Sequence, residues 1–244
     1  GLVGANGAGK TTAIKIALGA VLPGNGTVRL IDKSRVGVVL DHPPWPSSWR
    51  VRDIAKLVGP FYPDWNQRVF EELCGWAGVS WRLKVKEFSR GMGMKMQLAV
   101  ALAHEAELLV LDEPTSGLDP LARGELLDML SGFMSSERHS VLFSTHITSD
   151  LDRIADMVTI LDAGKVIASG SREDLLEAWV MVRGGVADLT DGLSSRVRGL
   201  RRHSVGWEGM LAASDLGLCG PGVVAETPSI EELLVHFAKD RKDA

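Results

Sequence analysis

The first twelve residues, GLVGANGAGKTT, restrict what this chain can fold into more than any other stretch. Residues 4–11 fit the pattern G-x-x-x-x-G-K-[ST], whose glycines let successive backbone N–H groups converge on phosphate oxygens. In that pattern Lys10 places a positive charge near the β- and γ-phosphates, and the hydroxyl of Thr11 binds Mg²⁺. A plain glycine turn between a strand and a helix is the alternative, but it does not require Lys and Thr in this register. The motif therefore predicts a nucleoside triphosphate site at the start of a helix.

Apolar runs and helical patterns alternate along the chain, which predicts a doubly wound α/β core. The runs at 107–111 and 140–144 are continuously apolar, as expected for strands buried on both faces of a parallel sheet. We predict strands over 27–31, 36–40, 107–111 and 140–144, helices over 12–18, 92–104 and 120–135, an interrupted helical region over 51–87, and a hairpin over 157–169.

Composition narrows the class of protein. The formal net charge of −4 over 244 residues argues against a generally basic nucleic-acid surface, and we expect no nucleic-acid partner. No apolar run approaches the ~18 residues needed to span a bilayer, and no signal-peptide pattern is present, so a membrane role would require a partner. Cys74 and Cys219 match neither a disulfide framework nor a metal-binding spacing, as in incidental thiols of a reducing cytosol.

Two adjacent carboxylates end the apolar run in LLVLDEP. Asp112 and Glu113 follow a predicted buried strand, at the edge of the sheet where ligands collect in open α/β folds. Asp112 would hold the Mg²⁺ shell, whereas Glu113, on the other side of the strand, would polarise the attacking water. A strand-end turn stopped by Pro114 is the alternative, and it is the weaker one beside a phosphate loop.

With these motifs the sequence resembles the ATP-binding subunits of ABC transporters. GANGAGKTT, FSRGM, LLVLDEP, SGLD and STH occur in that family's order and spacing, and the resemblance covers nearly the whole chain to about residue 170. It implies an α/β fold with a P-loop NTPase core over 1–170. A helical subdomain would be inserted at about 43–95, and a small C-terminal α/β accessory domain would occupy 171–244.

The resemblance also implies a role for individual residues. FSRGM occupies the signature motif, usually written LSGGQ, in which Ser89 and Gly91 bind the γ-phosphate of ATP held by a second subunit. His146 matches the switch histidine that contacts the γ-phosphate, although a lone histidine after a strand is more often structural. The implied nucleotide-binding residues are Gly4, Asn6, Gly7, Ala8, Gly9, Lys10, Thr11, Thr12, Ser89, Gly91 and Asp119 (in the D-loop); the implied catalytic residues are Glu113, His146 and Lys10; the implied metal ligands are Thr11, Asp112 and Asp41.

Two motifs depart from the family pattern. In FSRGM, Phe88, Arg90 and Met92 do not match, which bears on how tightly the motif closes on nucleotide. Asp41 stands where the family commonly has a glutamine that reaches Mg²⁺ and the attacking water. Aspartate is shorter and adds negative charge near the triphosphate. It can bind Mg²⁺ through water, or it can simply cap the proline-rich loop that follows, and the sequence leaves both interpretations open.

Five of the seven tryptophans lie between residues 45 and 81, where the family inserts the helical subdomain that docks on the transmembrane subunit. Core packing accounts for at least half of them, and Trp45 and Trp49, in a polar loop, are the better interface candidates. The tail after about residue 170 resembles the accessory domain of exporter ATPases related to antibiotic-resistance systems, with a regulatory or dimer-supporting role. Its arginines at 196, 198, 201 and 202 fit a solvated face, and contact with nucleic acid or anionic lipid is the alternative.

In this family two or more strands precede the phosphate loop, and one carries an aromatic residue that stacks on adenine. We therefore expect that the sequence as given has lost an N-terminal segment. The base platform would then be absent and one edge of the sheet unprotected.

Taken together, the resemblance implies a subunit that binds and hydrolyses ATP with Mg²⁺ and forms a homo- or heterodimer around it. It would drive a separate transmembrane permease, as part of an exporter, from the cytoplasm at the inner face of the cell membrane. One alternative is a soluble ABC protein acting on DNA or ribosomes, although the tandem modules or coiled-coil insertion usual there are not found. Another is a non-hydrolytic, nucleotide-gated regulatory module, suggested by Asp41 and the altered signature.

Overall fold

The computed structural model describes residues 1–240, and these form ten strands and nine α-helices. The strands are β1 (Leu2–Val3), β2 (Val36–Val39), β3 (Leu108–Asp112), β4 (Ser140–Thr145), β5 (Met157–Asp162), β6 (Lys165–Ser171), β7 (Trp179–Gly184), β8 (Arg198–His203), β9 (Gly206–Ala212) and β10 (Val224–Glu226). The helices are α1 (Lys10–Ala17), α2 (Val51–Val58), α3 (Gln67–Trp76), α4 (Arg90–Ala103), α5 (Pro120–Phe133), α6 (Thr148–Ile154), α7 (Arg172–Glu177), α8 (Asp191–Ser194) and α9 (Ile230–Asp240). No helix within residues 1–240 combines the length and apolar character needed to cross a membrane.

The chain divides into two compact units. The larger unit comprises Leu2 and Gly9–Ile154, and the smaller unit comprises Gly1, Val3–Ala8 and the residues from Ala155 onward. The predicted boundary between an ATPase domain and an accessory domain, at residues 170 and 171, stays a prediction. Residues 241–244 of that predicted accessory domain lie outside the described residues.

Parallel strands form the centre of the larger unit. β2, β3 and β4 lie side by side in that order, and the register places Asp112 opposite Ser144. Leu109 and Leu111 of the middle strand are fully buried, as its continuous apolar run predicts. Because parallel strands end at the same edge of a sheet, the polar residues that close β3 and β4 are brought together there.

Helices α2, α3 and α4 enclose a second apolar cluster in the larger unit. Ile54, Phe70 and Met96 are fully buried in it. Four partly buried tryptophans pack against this cluster, namely Trp45, Trp49, Trp65 and Trp76. Core packing therefore uses these rings, including the two that the sequence offered as interface candidates. The limits of a helical subdomain at about 43–95 remain a prediction.

The strand predicted over 27–31 does not form, and this prediction was wrong. The residues lie in a loop between α1 and β2, with Val28 and Ile31 exposed by 46% and 43%. A strand needs a neighbouring backbone to complete its hydrogen bonds, and in the described part of the chain no strand pairs with this segment. A β-branched composition does not supply that partner. The other predicted strands and helices are confirmed, with ends within a few residues of those expected.

The smaller unit contains the β5–β6 hairpin and a four-stranded antiparallel sheet in the order β10-β7-β9-β8. The predicted hairpin turns at Ala163 and Gly164, whose φ angles of 42° and 77° suit a tight two-residue turn. Val182, Leu211 and the largely buried Trp207 form the core of the second sheet. The four-stranded sheet falls within the small C-terminal α/β appendage expected from the sequence, and the limits of that appendage at 171–244 stay a prediction.

The predicted basic run of the tail lies mainly on β8. Arg196 faces Asp215 at 3.9 Å and Arg201 faces Glu208 at 3.4 Å, while the Arg198 guanidinium lies 4.9 Å from the ring centroid of Trp179. Neighbouring carboxylates and an aromatic face therefore engage these cations, which favours the solvated-face interpretation over a phosphate-binding strip.

Candidate nucleotide site

The first half of the glycine-rich loop belongs to the smaller unit, where it packs on the β5–β6 hairpin. A Cβ atom on Gly4 would lie 2.2 Å from the carbonyl oxygen of Leu161, so only glycine fits there. The Ala8 carbonyl accepts the N–H of Gly164 at 2.8 Å, and the Ala8 N–H closes a turn onto the Ala5 carbonyl at 3.0 Å. The tip of the loop between these anchors, which includes Asn6 and Gly7, is exposed.

The second half of the loop opens helix α1 in the larger unit. Gly9, at φ 105°, precedes the first helical residue, Lys10, and the Thr11 and Thr12 side chains are exposed on the first turn. Lys10 is buried. The N-terminal N–H groups of a helix and its dipole favour an anion, and a buried ammonium group strengthens that preference.

Asp112, the last residue of β3, is a buried carboxylate with a hydroxyl donor on each oxygen. Thr11 Oγ1 donates to Oδ2 at 2.7 Å, and Ser144 Oγ donates to Oδ1 at 2.7 Å. Magnesium in nucleotide sites is typically held by one or two protein oxygens together with phosphates and water. The Thr11–Asp112 pair fits that donor set. The described residues contain no cluster of three or more His, Cys, Asp or Glu side chains suited to a metal.

Glu113 adopts a left-handed backbone conformation, with φ 52°, which is uncommon for any residue other than glycine. Its N–H donates to both the carbonyl oxygen and Oγ of Ser144, each at 3.1 Å. Its carboxylate lies between two of the predicted catalytic residues. Lys10 Nζ is 3.0 Å from Oε1, and His146 Nδ1 is 2.6 Å from Oε2. Glu113 is thus in direct contact with both Lys10 and His146.

A buried acid, Asp150, connects the loop that follows Glu113 with the helix that follows His146. Asp150, on α6, is fully buried and accepts from Thr115 Oγ1 and from Arg123 Nε, both at 2.6 Å. Arg123 Nη2 also donates to Ser149 Oγ at 2.7 Å. Thr115 follows Glu113 closely in sequence, and α6 begins just after His146. The network therefore fixes the loop after β3 against the helix after β4.

The signature and D-loop residues serve as helix caps. Ser89 Oγ accepts the Met92 N–H at 3.2 Å at the start of α4, and Asp119 Oδ1 accepts the N–H groups of Leu121 and Ala122 at 3.0 Å at the start of α5. Gly91 lies in the first turn of α4, where a Cβ would be 3.8 Å from Leu118. None of the hydrogen bonds described for these residues reaches the Lys10–Glu113–His146 group, and their nucleotide roles stay predictions.

Asp41 has different partners from those of the other predicted metal ligands. Its carboxylate forms an ion pair with Arg90 and lies 3.4 Å from Nε2 of His42. Within the described residues no hydrogen bond joins it to Thr11 or Asp112. Gln97, which is buried on α4, accepts the Leu40 N–H and donates to the Leu40 carbonyl, both at 2.9 Å, and so fixes the residue before Asp41.

Comparison with known proteins finds similarity to ATP-binding proteins of ABC transporters. A family model described as ABC transporter matches residues 1–116, and a model described as an AAA domain matches residues 82–151. The Nod factor export ATP-binding protein I of Cupriavidus metallidurans is 31% identical over 193 residues, which are 73% of this chain and 63% of that protein. The bacitracin transport ATP-binding protein BcrA of Enterococcus faecalis is 32% identical over 68% of this chain and 58% of that protein.

This chain contains an ABC transporter ATP-binding domain. It spans about three fifths of the length of those two relatives. A solved structure described as the ATP binding subunit of an ABC transporter is 29% identical, with a TM-score of 0.59, and the match covers 71% of this chain and 78% of that one. The fold of this ABC chain is accordingly the P-loop ATPase fold that the motifs predicted.

Sequence reasoning missed several residues that organise the site of this ABC chain. Ser144, Gln97, Arg123 and Asp150 were not among the predicted site residues, yet each holds a motif residue or its neighbour. A signal existed for Ser144, because aligning the predicted parallel strands places it opposite Asp112. No comparable signal existed for the other three, whose partners are set by helix packing.

Proposed function

We propose that this chain is the ATP-binding and ATP-hydrolysing subunit of an ABC transporter, part of an exporter, and that it pairs with a second such subunit around ATP. The carrying observation is the placement of Glu113 between Lys10 and His146, beside the Thr11–Asp112 pair. The export function named for the Nod factor protein supports the exporter assignment, and the transport function named for BcrA supports a transporter subunit.

The glycine-rich loop and the start of α1 would bind the phosphates. Backbone N–H groups of residues 4–12, including those of Asn6, Ala8 and Thr12, are the donors, and Lys10 provides the charge. Thr11 and Asp112 would hold Mg²⁺. When bound, this ion neutralises charge on the β- and γ-phosphate oxygens.

Glu113 is the group that would accept a proton from the attacking water. Water attacks the γ-phosphorus in line, the bond to the ADP oxygen breaks, and the proton passes to the carboxylate. Because Lys10 lies 3.0 Å from Oε1 of Glu113, an arriving γ-phosphate competes for its ammonium group and leaves that oxygen free to act as the base. His146 contacts Oε2 of Glu113 and would contact the γ-phosphate when ATP is bound.

The second subunit would complete each site. Ser89 and Gly91 at the start of α4, and Asp119 in the D-loop, are the residues expected to face ATP held by the partner subunit. Dimer closure would drive a separate transmembrane permease from the cytoplasmic side of the cell membrane, with no nucleic-acid partner. The tail from residue 171 would serve as a regulatory or dimer-supporting domain.

One observation favours a second candidate function. Asp41, at the position of the usual glutamine, is engaged by Arg90 and not by Thr11 or Asp112. If the side chain at residue 41 does not reach the attacking water, the chain could bind nucleotide without hydrolysing it. It would then be a nucleotide-gated regulatory module.

Light scattering combined with an ATPase assay tests the proposed function. Wild type should hydrolyse ATP, and Glu113→Gln should lower the rate by about 10²–10⁴-fold because the general base is lost. The variant should also become a dimer with Mg-ATP but not with Mg-ADP. Glu107→Gln, an acid paired with Arg35 outside the site, is the matched control and should behave as wild type. ATP binding without hydrolysis in both wild type and Glu113→Gln would favour the regulatory module.

A further inference from the structure

Arg90 connects three motif segments of the larger unit. It is the first residue of α4, it forms an ion pair with Asp41 after β2, and it lies over Gly117 in the loop after β3. A Cβ on Gly117 would be 3.0 Å from Arg90 Cδ, so the bare glycine makes room for the arginine stem. The side chains of Arg90 and Asp41 are 38% and 44% exposed, which leaves the pair accessible but covered on one side.

The segment after β2 is joined to α4 at further points. Gln97 holds the backbone of Leu40 from about two helical turns beyond Arg90, on the same face of the helix. Between them, Gly93 faces Pro43, and a Cβ at Gly93 would be 2.9 Å from its Cγ. The start of the loop is therefore fixed to α4 in three ways. Gln97 hydrogen-bonds the Leu40 backbone, Gly93 packs on the Pro43 ring, and Arg90 pairs with Asp41.

The two departures from the family motifs are complementary in charge. An acid replaces the usual glutamine at Asp41, and a base replaces the first glycine of the signature at Arg90. A lone carboxylate at residue 41 would repel a triphosphate, whereas one paired with a guanidinium group exerts a much weaker field at a distance. Arg90 thus offsets the repulsion that the Asp41 carboxylate would exert on a triphosphate.

We propose that the Asp41–Arg90 pair fastens the loop after β2 to the first turn of α4, so that Asp41 positions residues 89–91 and is not a magnesium ligand. The inference rests on the proposed function only for the meaning of residues 89–91, which there face the partner's ATP. Loss of either charge releases both segments, and exchange of the two charges restores the connection. Magnesium is then held by Thr11 and Asp112 without Asp41.

Hydrogen exchange tests the connection without nucleotide. Asp41→Ala and Arg90→Ala should each speed amide exchange in both residues 41–49 and residues 90–94, by about three- to tenfold, since an accessible ion pair contributes modestly to stability. The double variant Asp41→Arg/Arg90→Asp should return both segments to the wild-type rate. Asp128→Ala is the control, because it removes an exposed carboxylate whose Oδ1 lies 2.5 Å from Arg153 Nη2 in the same unit. It should leave the exchange rates of both segments unchanged. Faster exchange confined to the substituted segment, or no recovery in the double variant, would overturn the proposal.

Magnesium titration separates positioning from metal binding. Calorimetry of ATP binding over a range of Mg²⁺ concentrations should give Asp41→Ala an apparent Mg²⁺ affinity close to that of wild type, and Asp112→Asn one lower by about 10–100-fold. An equal loss in both variants would make Asp41 a ligand and overturn the proposal.

Dimerisation of the Glu113→Gln chain with Mg-ATP supplies the last comparison. Adding Asp41→Ala should weaken the dimer, and adding Asp41→Arg/Arg90→Asp should recover it. A Glu113→Gln chain that stays monomeric with ATP would count against the proposed function. In that event the exchange rates still decide whether Asp41 and Arg90 fasten the two segments.

Discussion

Ser144 Oγ donates to Asp112 Oδ1 at 2.7 Å, and Ser144 Oγ also accepts the backbone N–H of Glu113 at 3.1 Å. One hydroxyl group on β4 therefore orients the side chain of one acid and the backbone of the next. Thr11 binds the other oxygen of Asp112 at 2.7 Å, so the carboxylate is held from two elements.

Replacing this hydroxyl should damage the site without unfolding the chain. Ser144→Ala leaves one oxygen of the buried Asp112 without a donor, which costs about 1–3 kcal/mol. We expect Mg-ATP affinity or kcat/KM to fall by about tenfold or more, since 1.4 kcal/mol corresponds to a factor of ten. Ser140→Ala, at the exposed start of the same strand, is the control and should have no effect. Equal values for the two variants would remove Ser144 from the site.

The Arg123–Asp150 contact should be the most sensitive ion pair of the larger unit. Arg123→Met leaves the fully buried Asp150 carboxylate with Thr115 alone, and urea denaturation should show a loss of about 3 kcal/mol in the free energy of unfolding. Arg153→Met breaks a pair whose acid, Asp128, is 72% exposed, and should cost less than about 1 kcal/mol. Similar losses in both variants would contradict this assignment.

Stability should fall as the pH is lowered below the ordinary pKa of histidine, 6.5, because of His104. Its ring is buried and stacked on Tyr62 at 3.9 Å between centroids, and burial lowers its pKa despite opposing backbone hydrogen bonds. The unfolded chain therefore takes up the proton first, and the unfolding free energy declines as pH falls from 6.5 through the lower pKa of the folded state. Denaturant titrations at several pH values should show a weaker decline for His104→Gln than for wild type.

The exposed His203 provides the control for that experiment, because its side chain is 54% exposed. His203→Gln should follow the pH dependence of wild type. A wild-type decline that persists unchanged in His104→Gln would assign the effect to other groups.

The two thiols should differ sharply in reactivity. Burial raises the pKa of Cys74 to about 12, and its sulfur lies 4.0 Å from Met96 Sδ in the apolar cluster of α2, α3 and α4. Cys219 is only partly buried. Because the thiolate is the reactive form, a disulfide reagent should label Cys219 alone in the folded chain and Cys74 only in denaturant. Cys219→Ser should give no native labelling, and rapid reaction of both thiols in wild type would contradict the burial of Cys74.

The sequence predicted the parts of this molecule that follow from local chemistry and strand order. Contact of Glu113 with His146 was foreseeable because each follows a predicted buried strand and parallel strands end at one edge, and the glycine-rich motif predicted that Lys10 would join them. The pairing of Asp41 with Arg90 was not, since the residues are far apart in sequence and meet only through the packing of α4. The mistaken strand over 27–31 failed for a related reason, because strand formation depends on a neighbour and not on composition.

The left-handed backbone of Glu113 sets folding and chemistry against each other at one position. An L-residue in that conformation costs roughly 1–2 kcal/mol, and glycine is largely spared the cost. Glu113→Gly should therefore be more stable than Glu113→Ala by about 1 kcal/mol in urea denaturation. At most positions the order is reversed, because glycine loses more backbone entropy on folding than alanine does. Under the proposed function, residue 113 carries the catalytic carboxylate on a backbone conformation that glycine would adopt at lower cost.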